Sequence, residues 1–465
     1  MTQRVAIIGA GPAGLLAARS LQRAGIPYDQ FERHTDVGGI WDIRSEGTPM
    51  YATAHFISSK HVSYLPGYPM PHDYPDYPDH RRVLAYLRAF ARDHGLYDAI
   101  RFATEVQRVE RLPDGGWELQ LADGSRPVYR ALYLCSGNTW DPWLPDLPGD
   151  FDGEVFHSVA YDEPARFEGK RVLVVGGGNS GCDIACDAAS RADAAFLSLR
   201  RGYHFVPKHV LGMPADVFAG GLDLPRAVEV RVMEGLLRLV VGDLTRFGLP
   251  APDHRILESH PIVNTQVLHH LAHGDLAYRP DVERLDGDSV VFVDGRREAI
   301  DVVVYATGYK VSYPFMARDH FTWHRKYPDL FLTALHRRYD DLCCLGLHQT
   351  DGGAFDLFAL QADMMTNFLL DQQRDPARAE RFRQLKATAR PDLSGGRRYV
   401  DSARHETYAK KATFLRYSES LFDEFGWTRF GSGTAEAPRP SLRTRARRRG
   451  ARWLRRAPWA GAQGV

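Results

Sequence analysis

The stretch "VAIIGAGPAGLLAA", Val5 to Ala18, sets Gly9, Gly11 and Gly14 at G-x-G-x-x-G spacing. A short apolar run before those glycines and an alanine- and leucine-rich segment after them make a strand that turns into a helix around a pyrophosphate. Gly9 permits the tight turn, Gly11 lets phosphate reach the backbone, and Gly14 lets helix lie close on strand, with Pro12 and Ala13 between them. The helix, ended by Gly25, would turn its positive N-terminus toward the phosphates. A second strand, "YDQFER", ends in Glu32 and Arg33. It lies about twenty residues past the loop, where an acid binds ribose hydroxyls.

The construction recurs in "VLVVGGGNSGCDIAC", Val172 to Cys186, with Gly176, Gly178 and Gly181 at the same spacing and Asn179 and Ser180 inside it. Where the first unit has an acid, the strand "AAFLSLRRGYH" gives Arg200 and Arg201. Cations at that place suit a 2′-phosphate and so NADPH. A solvated strand end is the plainer alternative, and the sequence does not choose between the two arginines. Two cradles of opposite ribose chemistry imply two dinucleotides, FAD in the first and NADPH in the second, with electrons passing between them.

These loops need elements to hold them. "ALYLCSG" (Ala131 to Gly137) and "AIDVVVYATGY" (Ala299 to Tyr309) read as buried strands ending in small turns, and Thr307 and Gly308 lie in the second turn. In open α/β sheets ligands bind at that carboxyl edge, so both turns are expected to be domain crossovers and cofactor walls. The expected FAD contacts also take in Gly39, Ile40 and Trp41, from the loop "DVGGIWDI", and Val106. Tyr64 to His80 holds five prolines and four tyrosines and reads as a non-helical excursion before an amphipathic helix over Arg81 to His94. The fold class is therefore α/β with two Rossmann-like dinucleotide-binding domains. The FAD domain takes residues 1–155 and 310–430, the NADPH domain 156–309 is inserted in it, and a stretch around 208–263 is an insertion whose structure the sequence leaves open.

Composition bounds the rest. At 465 residues, 44% apolar and 25% charged, the chain is long enough for two or three ordinary globular domains. Five cysteines fit a reducing cytoplasm better than a disulfide framework. A strand beginning within a few residues of Met1 leaves no room for a signal, and no run approaches the roughly 18 apolar residues of a membrane span. The net charge of +1 conceals a tail, residues 431–465, whose last 25 residues hold eight arginines and no acid, leaving 51 basic against 58 acidic residues elsewhere. The tail reads as a disordered basic extension, with weak contact to an anionic membrane surface through Trp453, Leu454 and Trp459 as the alternative. The partners expected are a small-molecule substrate and O2, with no nucleic acid, and a homodimer is the candidate assembly.

Between the loops the chain reads "FDGEVFHSVAY". Phe151, Gly153, His157, Ser158 and Tyr161 fit F-x-G-x-x-x-H-S-x-x-[Y/F], and with "FERHTDVGGIW", "GGGNSG", "LRRGYHFVPK" and "ATGY" the chain resembles the flavin-containing monooxygenases from Met1 to about Phe430. The resemblance implies that NADPH reduces FAD and that oxygen adds to give a C4a-hydroperoxyflavin. One oxygen atom then passes to an amine nitrogen or thioether sulfur. It also implies that His157 is more a linker residue than a general base. One departure stands out. Where many members read T-N-S-S-K, with the amide beside the flavin C4a edge, this chain reads "HFISSK", placing Ile57 at the asparagine position with Ser58 and His55 as its polar neighbours. Isoleucine has no donor, so either peroxide is released or a neighbour substitutes for the amide. The competing readings are Baeyer–Villiger oxidation of ketones, an uncoupled NADPH oxidase, a disulfide or ferredoxin reductase, and a non-catalytic nucleotide sensor. Cys182 and Cys186, at C-x-x-x-C spacing, do not make the dithiol a reductase needs.

Overall fold

The computed structural model describes residues 3–219 and 226–431; the basic tail beyond Gly431 therefore lies outside the described residues. Strand β1 (Val5–Ile8) is apolar and buried at every position, as a strand covered on both faces must be. It pairs in parallel with β2 (Tyr28–Phe31) and with Ala131–Leu134, at the centre of a seven-stranded sheet. Helix α1 (Pro12–Arg23) connects β1 to β2, starting on a proline that is preset for a first turn and ending at Gly25 with φ +70°. Helix α2 (His80–Asp93) follows the proline-rich excursion, and the Asp79 side chain caps it by accepting from the Arg82 amide at 2.9 Å.

The second sheet has five parallel strands. Its centre is β3 (Arg171–Val175), followed by α3 (Asn179–Arg191) and β4 (Ala194–Ser198). Ala277–Arg279 pairs with β4, Val302–Tyr305 pairs with β3, and Glu154–His157 forms the far edge. The expected boundary between residues 155 and 156 thus falls inside a strand that belongs wholly to the second sheet. The chain rejoins the first sheet through three short strands, Leu330–Phe331, Leu335–His336 and Leu342–Cys344. Helix α4 (Phe355–Arg374), largely buried, then packs on α1.

The insertion left open by the sequence begins as a hairpin, His209–Val210 with Met213–Pro214, and a short helix, Ala215–Ala219. A helix over Arg226–Val240 with no fully buried residue follows. Among its exposed side chains are Val228, Val232 and Leu239, so this helix covers the domain instead of filling a core.

In each nucleotide unit the third glycine sets how near helix can come to strand. A Cβ on Gly14 would stand 2.0 Å from the Gly9 oxygen, and one on Gly181 2.0 Å from the Gly176 oxygen. A Cβ on Gly178 would meet nothing within 4 Å. Gly181→Ala should therefore destabilise the protein by about 1–3 kcal/mol through forced separation of α3 from β3, whereas Gly178→Ala should leave the melting temperature unchanged. Equal melting temperatures for the two variants in a thermal scan would contradict this packing.

Candidate active site

A cavity of about 1500 Å³ opens at the carboxyl ends of the parallel strands of the two sheets, and both glycine loops line it. At the first loop Gly9 has φ +104°, and a Cβ there would stand 2.4 Å from the Cys135 carbonyl oxygen, so only glycine fits. Gly11 backs onto Gly39, whose added Cβ would lie 2.9 Å from the Gly11 Cα. The backbone of both turns is thereby left open to the cavity. Pro12, Ala13, Arg33, Ile40, Trp41 and Val106 line the same space, while Gly14 faces the strand and does not.

Glu32 does two things. One carboxylate oxygen accepts from the Ala10 amide at 2.7 Å and the other from the His34 amide at 3.0 Å, which ties β2 to the glycine loop. The carboxylate also lines the cavity, and each oxygen keeps a lone pair for a hydroxyl. This donor set and the open turn fit the adenosine and pyrophosphate of a dinucleotide.

The second loop repeats the fit. Gly176 has φ +121°, with the Ala306 oxygen 2.5 Å from an added Cβ, and Gly178 and Ser180 face the cavity at the N-terminus of α3. Gly181, like Gly14, packs inward. Asn179 lines the cavity as well, with its side chain turned to the segment after the insertion. Its Oδ1 accepts from the Val263 amide at 2.8 Å and its Nδ2 donates to the Pro261 oxygen, so it fastens the segment after the insertion.

The structure separates the two arginines. Arg201 donates through Nε and Nη2 to Asp253, at 3.2 and 2.6 Å, and is half-buried in that pair. Arg200 is exposed to the cavity. Sequence reasoning missed two further cations that line the cavity. Arg404 projects into the cavity with no carboxylate within ion-pair distance among the described residues, and Lys326 lies over the Trp143 ring at 3.2 Å. Burial, then Lys310 and Arg200, pull the Lys326 ammonium down from its ordinary value. His405, next to Arg404, is pushed down to about 4, by burial first and Arg404 second. No local signal could have found Arg404, which lies some two hundred positions beyond the loop it joins.

Between the cradles runs the strip Tyr51 to Ser59, which belongs to the first unit in sequence but is held by the second. Tyr51 donates to Asp183 at 3.0 Å, Thr53 donates to Asp187 at 2.6 Å, and both acids lie one turn apart on α3. Asn264 donates to Asp183 at 2.6 Å and Tyr161 to Asp187 at 2.9 Å. Burial raises both carboxyls, and these donors partly offset it. The Ser59 amide and hydroxyl both donate to Asp216 of the insertion, at 2.6 and 2.8 Å. Ile57 lines the cavity and is 36% exposed. Ser58 shares a 2.6 Å hydroxyl–hydroxyl bond with Ser63, and the His55 ring bonds the Thr53 carbonyl.

His157 has the contacts of a linker residue, the role the resemblance implies for it. Its Nδ1 accepts from the Val159 amide, so its Nε2 carries the hydrogen and donates to the Gly308 oxygen at 3.0 Å. Burial lowers its proton affinity, and both nitrogens are committed to joining the linker to the turn at Thr307 and Gly308. Thr307 is committed likewise, donating to the Trp143 carbonyl.

Two sheets whose parallel strands offer glycine turns on one cavity, an acid at one and cations at the other, define a flavoprotein oxidoreductase of the two-dinucleotide class. The chain belongs to the flavin-binding monooxygenase-like family, whose family model matches residues 2–422, and its cofactors are FAD and NADPH. It is 34% identical over 340 residues to "Dimethylaniline monooxygenase [N-oxide-forming] 2" of Rattus norvegicus, a match covering 68% of this chain and 63% of that protein. It is 32% identical over 440 residues to "Flavin-containing monooxygenase 5" of Mus musculus, covering 87% and 79%. Among solved structures, the S-allyl-L-cysteine S-oxygenase of Allium sativum superposes with a TM-score of 0.63 over 97% of this chain and 94% of that one, at 22% identity.

One buried group on the cavity wall makes the site acid-sensitive. His348 bonds Thr333 Oγ1 through Nδ1 at 2.8 Å, its Nε2 has no partner, and burial pushes the imidazole down to about 3. In the unfolded chain a histidine takes a proton near pH 6.5, so stability present above that pH is lost as pH falls toward the folded value. At pH 4 the loss from His348 alone is on the order of 3 kcal/mol. His348→Gln should flatten the fall in melting temperature between pH 6.5 and 4, and an unchanged slope would remove His348 from this account.

Proposed function

We propose that this protein is an NADPH- and O2-dependent flavoprotein monooxygenase that oxygenates a soft nucleophile, an amine nitrogen or a thioether sulfur. The observation that carries the reading is the pair of cradles with opposite ribose chemistry opening on one cavity. The names of the rat N-oxide-forming relative and the garlic S-oxygenase support those two substrate classes. A disulfide reductase is disfavoured because all five cysteines are buried and unpaired, and burial holds their thiols above the ordinary range wherever they border the nucleotide units. The same unpaired cysteines support a cytoplasmic location, and among the described residues no helix is long and apolar enough to cross a membrane.

When bound, NADPH supplies the hydride and FAD the redox centre that activates O2. The chain's own residues bind, orient and exclude water. Gly9 and Gly11 admit the FAD pyrophosphate, and Glu32 takes its ribose. Gly176, Gly178 and the N-terminus of α3 take the second pyrophosphate, while Arg200 and Arg404 receive the 2′-phosphate with Lys326 nearby. Trp41 packs edge-on against Phe56 at 4.6 Å, and Phe56 lies 6.3 Å from Phe355, giving a dry aromatic wall. Ile57 extends that wall and donates nothing. The Ser58 hydroxyl, free to turn from Ser63, is the nearest side-chain donor on the strip.

Ile57 also favours a second reading, in which much of the reducing power ends as hydrogen peroxide. The test is NADPH consumption with peroxide counted, over an amine, a thioether and a ketone panel. A monooxygenase should oxygenate the amine or thioether and release less peroxide when it is present. Peroxide equal to NADPH consumed whatever the substrate would overturn oxygenation in favour of an oxidase. Ile57→Asn should raise coupling if the missing amide is the cause.

Coenzyme choice tests the cation cluster. Arg200→Ala and Arg404→Ala should each weaken NADPH roughly ten- to hundred-fold while leaving NADH little changed, the size of a lost charge-assisted bond. Arg201→Ala should do less, since Asp253 already holds that side chain. Parallel losses for both coenzymes in binding titrations would refute the assignment.

A further inference from the structure

A second concavity, a groove of about 420 Å³, lies along α2, away from the nucleotide loops. One wall is a single helix face, with Arg81, Arg88 and Arg92 at helical spacing and His80 at its start; the other is Asp42 to Arg44. Four guanidinium groups therefore surround one carboxylate. Asp42 engages Arg88 at 3.0 Å and Arg44 at 3.3 Å, and Arg88 also meets Asp36 at 2.7 Å. Arg81 and Arg92 have no carboxylate within ion-pair distance among the described residues. Their charge is uncompensated.

His80 is the independent observation. Its side chain borders the groove, the residue is only 3% exposed, and neither ring nitrogen has a hydrogen-bond partner. Buried polar atoms in folded proteins almost always find partners. An oxyanion in the groove would supply one to the imidazole and would neutralise the two free arginines together.

We propose that this groove binds a small dianionic oxyanion group, phosphate or sulfate, carried by a soluble small molecule, with Arg81 and Arg92 supplying charge and His80 a proton. The site is separate from the cofactor cavity and does not rest on the monooxygenase reading. It stands next to the cavity in sequence, because Asp42 directly follows Trp41. Four groups face His80: Asp79 and Arg81 of its own segment, and Asp42 and His55 from the packed loops. Burial lowers the His80 proton affinity, and a bound dianion opposes that, so binding should tighten as pH falls.

The test is calorimetric titration of sodium sulfate into holoenzyme saturated with FAD and NADP⁺, which fills both nucleotide sites, against sodium chloride at matched ionic strength. Sulfate stays dianionic from pH 6 to 8, so any pH dependence belongs to the protein. The expected result is saturable one-to-one binding that tightens toward pH 6. In Arg81→Ala/Arg92→Ala it should weaken roughly tenfold or more, with the sulfate-free melting temperature unchanged. Inorganic phosphate and glycerol phosphate should compete with sulfate. Absence of saturable binding in the wild type, or equal affinity in the double variant, overturns the site. Tightening at low pH that persists in His80→Phe overturns the role of His80 and assigns the proton to His55.

Discussion

Asp183 and Asp187 of α3 are the interaction on which the rest of the site depends. A half-buried carboxylate is costly unless hydroxyl or amide donors surround it, and here four donors converge on two acids one helical turn apart. Two of them, Tyr51 and Thr53, come from the strip that leads to Ile57. The other two, Asn264 and Tyr161, come from segments packed on the second sheet. The wall of the first nucleotide unit is thus suspended from a helix of the second. Any rotation of one sheet relative to the other would move Ile57 and Ser58 with it, so the geometry of the reacting edge and the separation of the two nucleotides are one variable.

The electrostatics of the cavity run from one end to the other. Glu32 stands at the first cradle with its oxygens already taking two amides. At the far end Arg200 and Lys310 act on Lys326 against the single acid Glu406, and Arg404 lines the same cavity with no carboxylate within ion-pair distance among the described residues. Burial is the first cause that lowers Lys326 and His405, and like charge adds to it, from Lys310 and Arg200 on the first and from Arg404 on the second. Such a cluster is stable in isolation only at a cost, and a dianionic phosphate removes that cost on binding. The imbalance therefore favours a phosphorylated coenzyme over its unphosphorylated analogue, independently of which single arginine makes the shortest contact.

What the sequence disclosed and what it hid divide by distance along the chain. The glycine spacings, the apolar strands and Glu32 are local signals, because turn geometry, strand burial and the length of a βαβ unit all lie within thirty residues. Partners distant along the chain were not legible. Asn179 sits in the loop motif, yet its amide is taken by residues 261 to 263. Arg201 is where a phosphate contact should be, yet Asp253 neutralises it. Arg404 enters from the returning half of the first domain, where nothing in its neighbourhood marks a phosphate site. The insertion was left open by the sequence, and its long helix, Arg226–Val240, has no fully buried residue that would mark a core face.

The departure at Ile57 is best understood against the rigidity of what surrounds it. Ser59 is held through both its amide and its hydroxyl by Asp216, and Tyr51 by Asp183, so the backbone on either side of Ile57 is fixed by contacts that do not involve its side chain. An apolar residue in place of an amide therefore leaves the position of the wall intact and changes only what the wall offers, replacing a polar group with surface continuous with Phe56 and Trp41. Such a surface excludes water, which strengthens nearby charge interactions, but it gives no hydrogen bond to a developing negative oxygen. The only side-chain donor supplied by the next residue is the Ser58 hydroxyl. That hydroxyl is shared with Ser63, so turning it toward the cavity means exchanging the Ser63 bond.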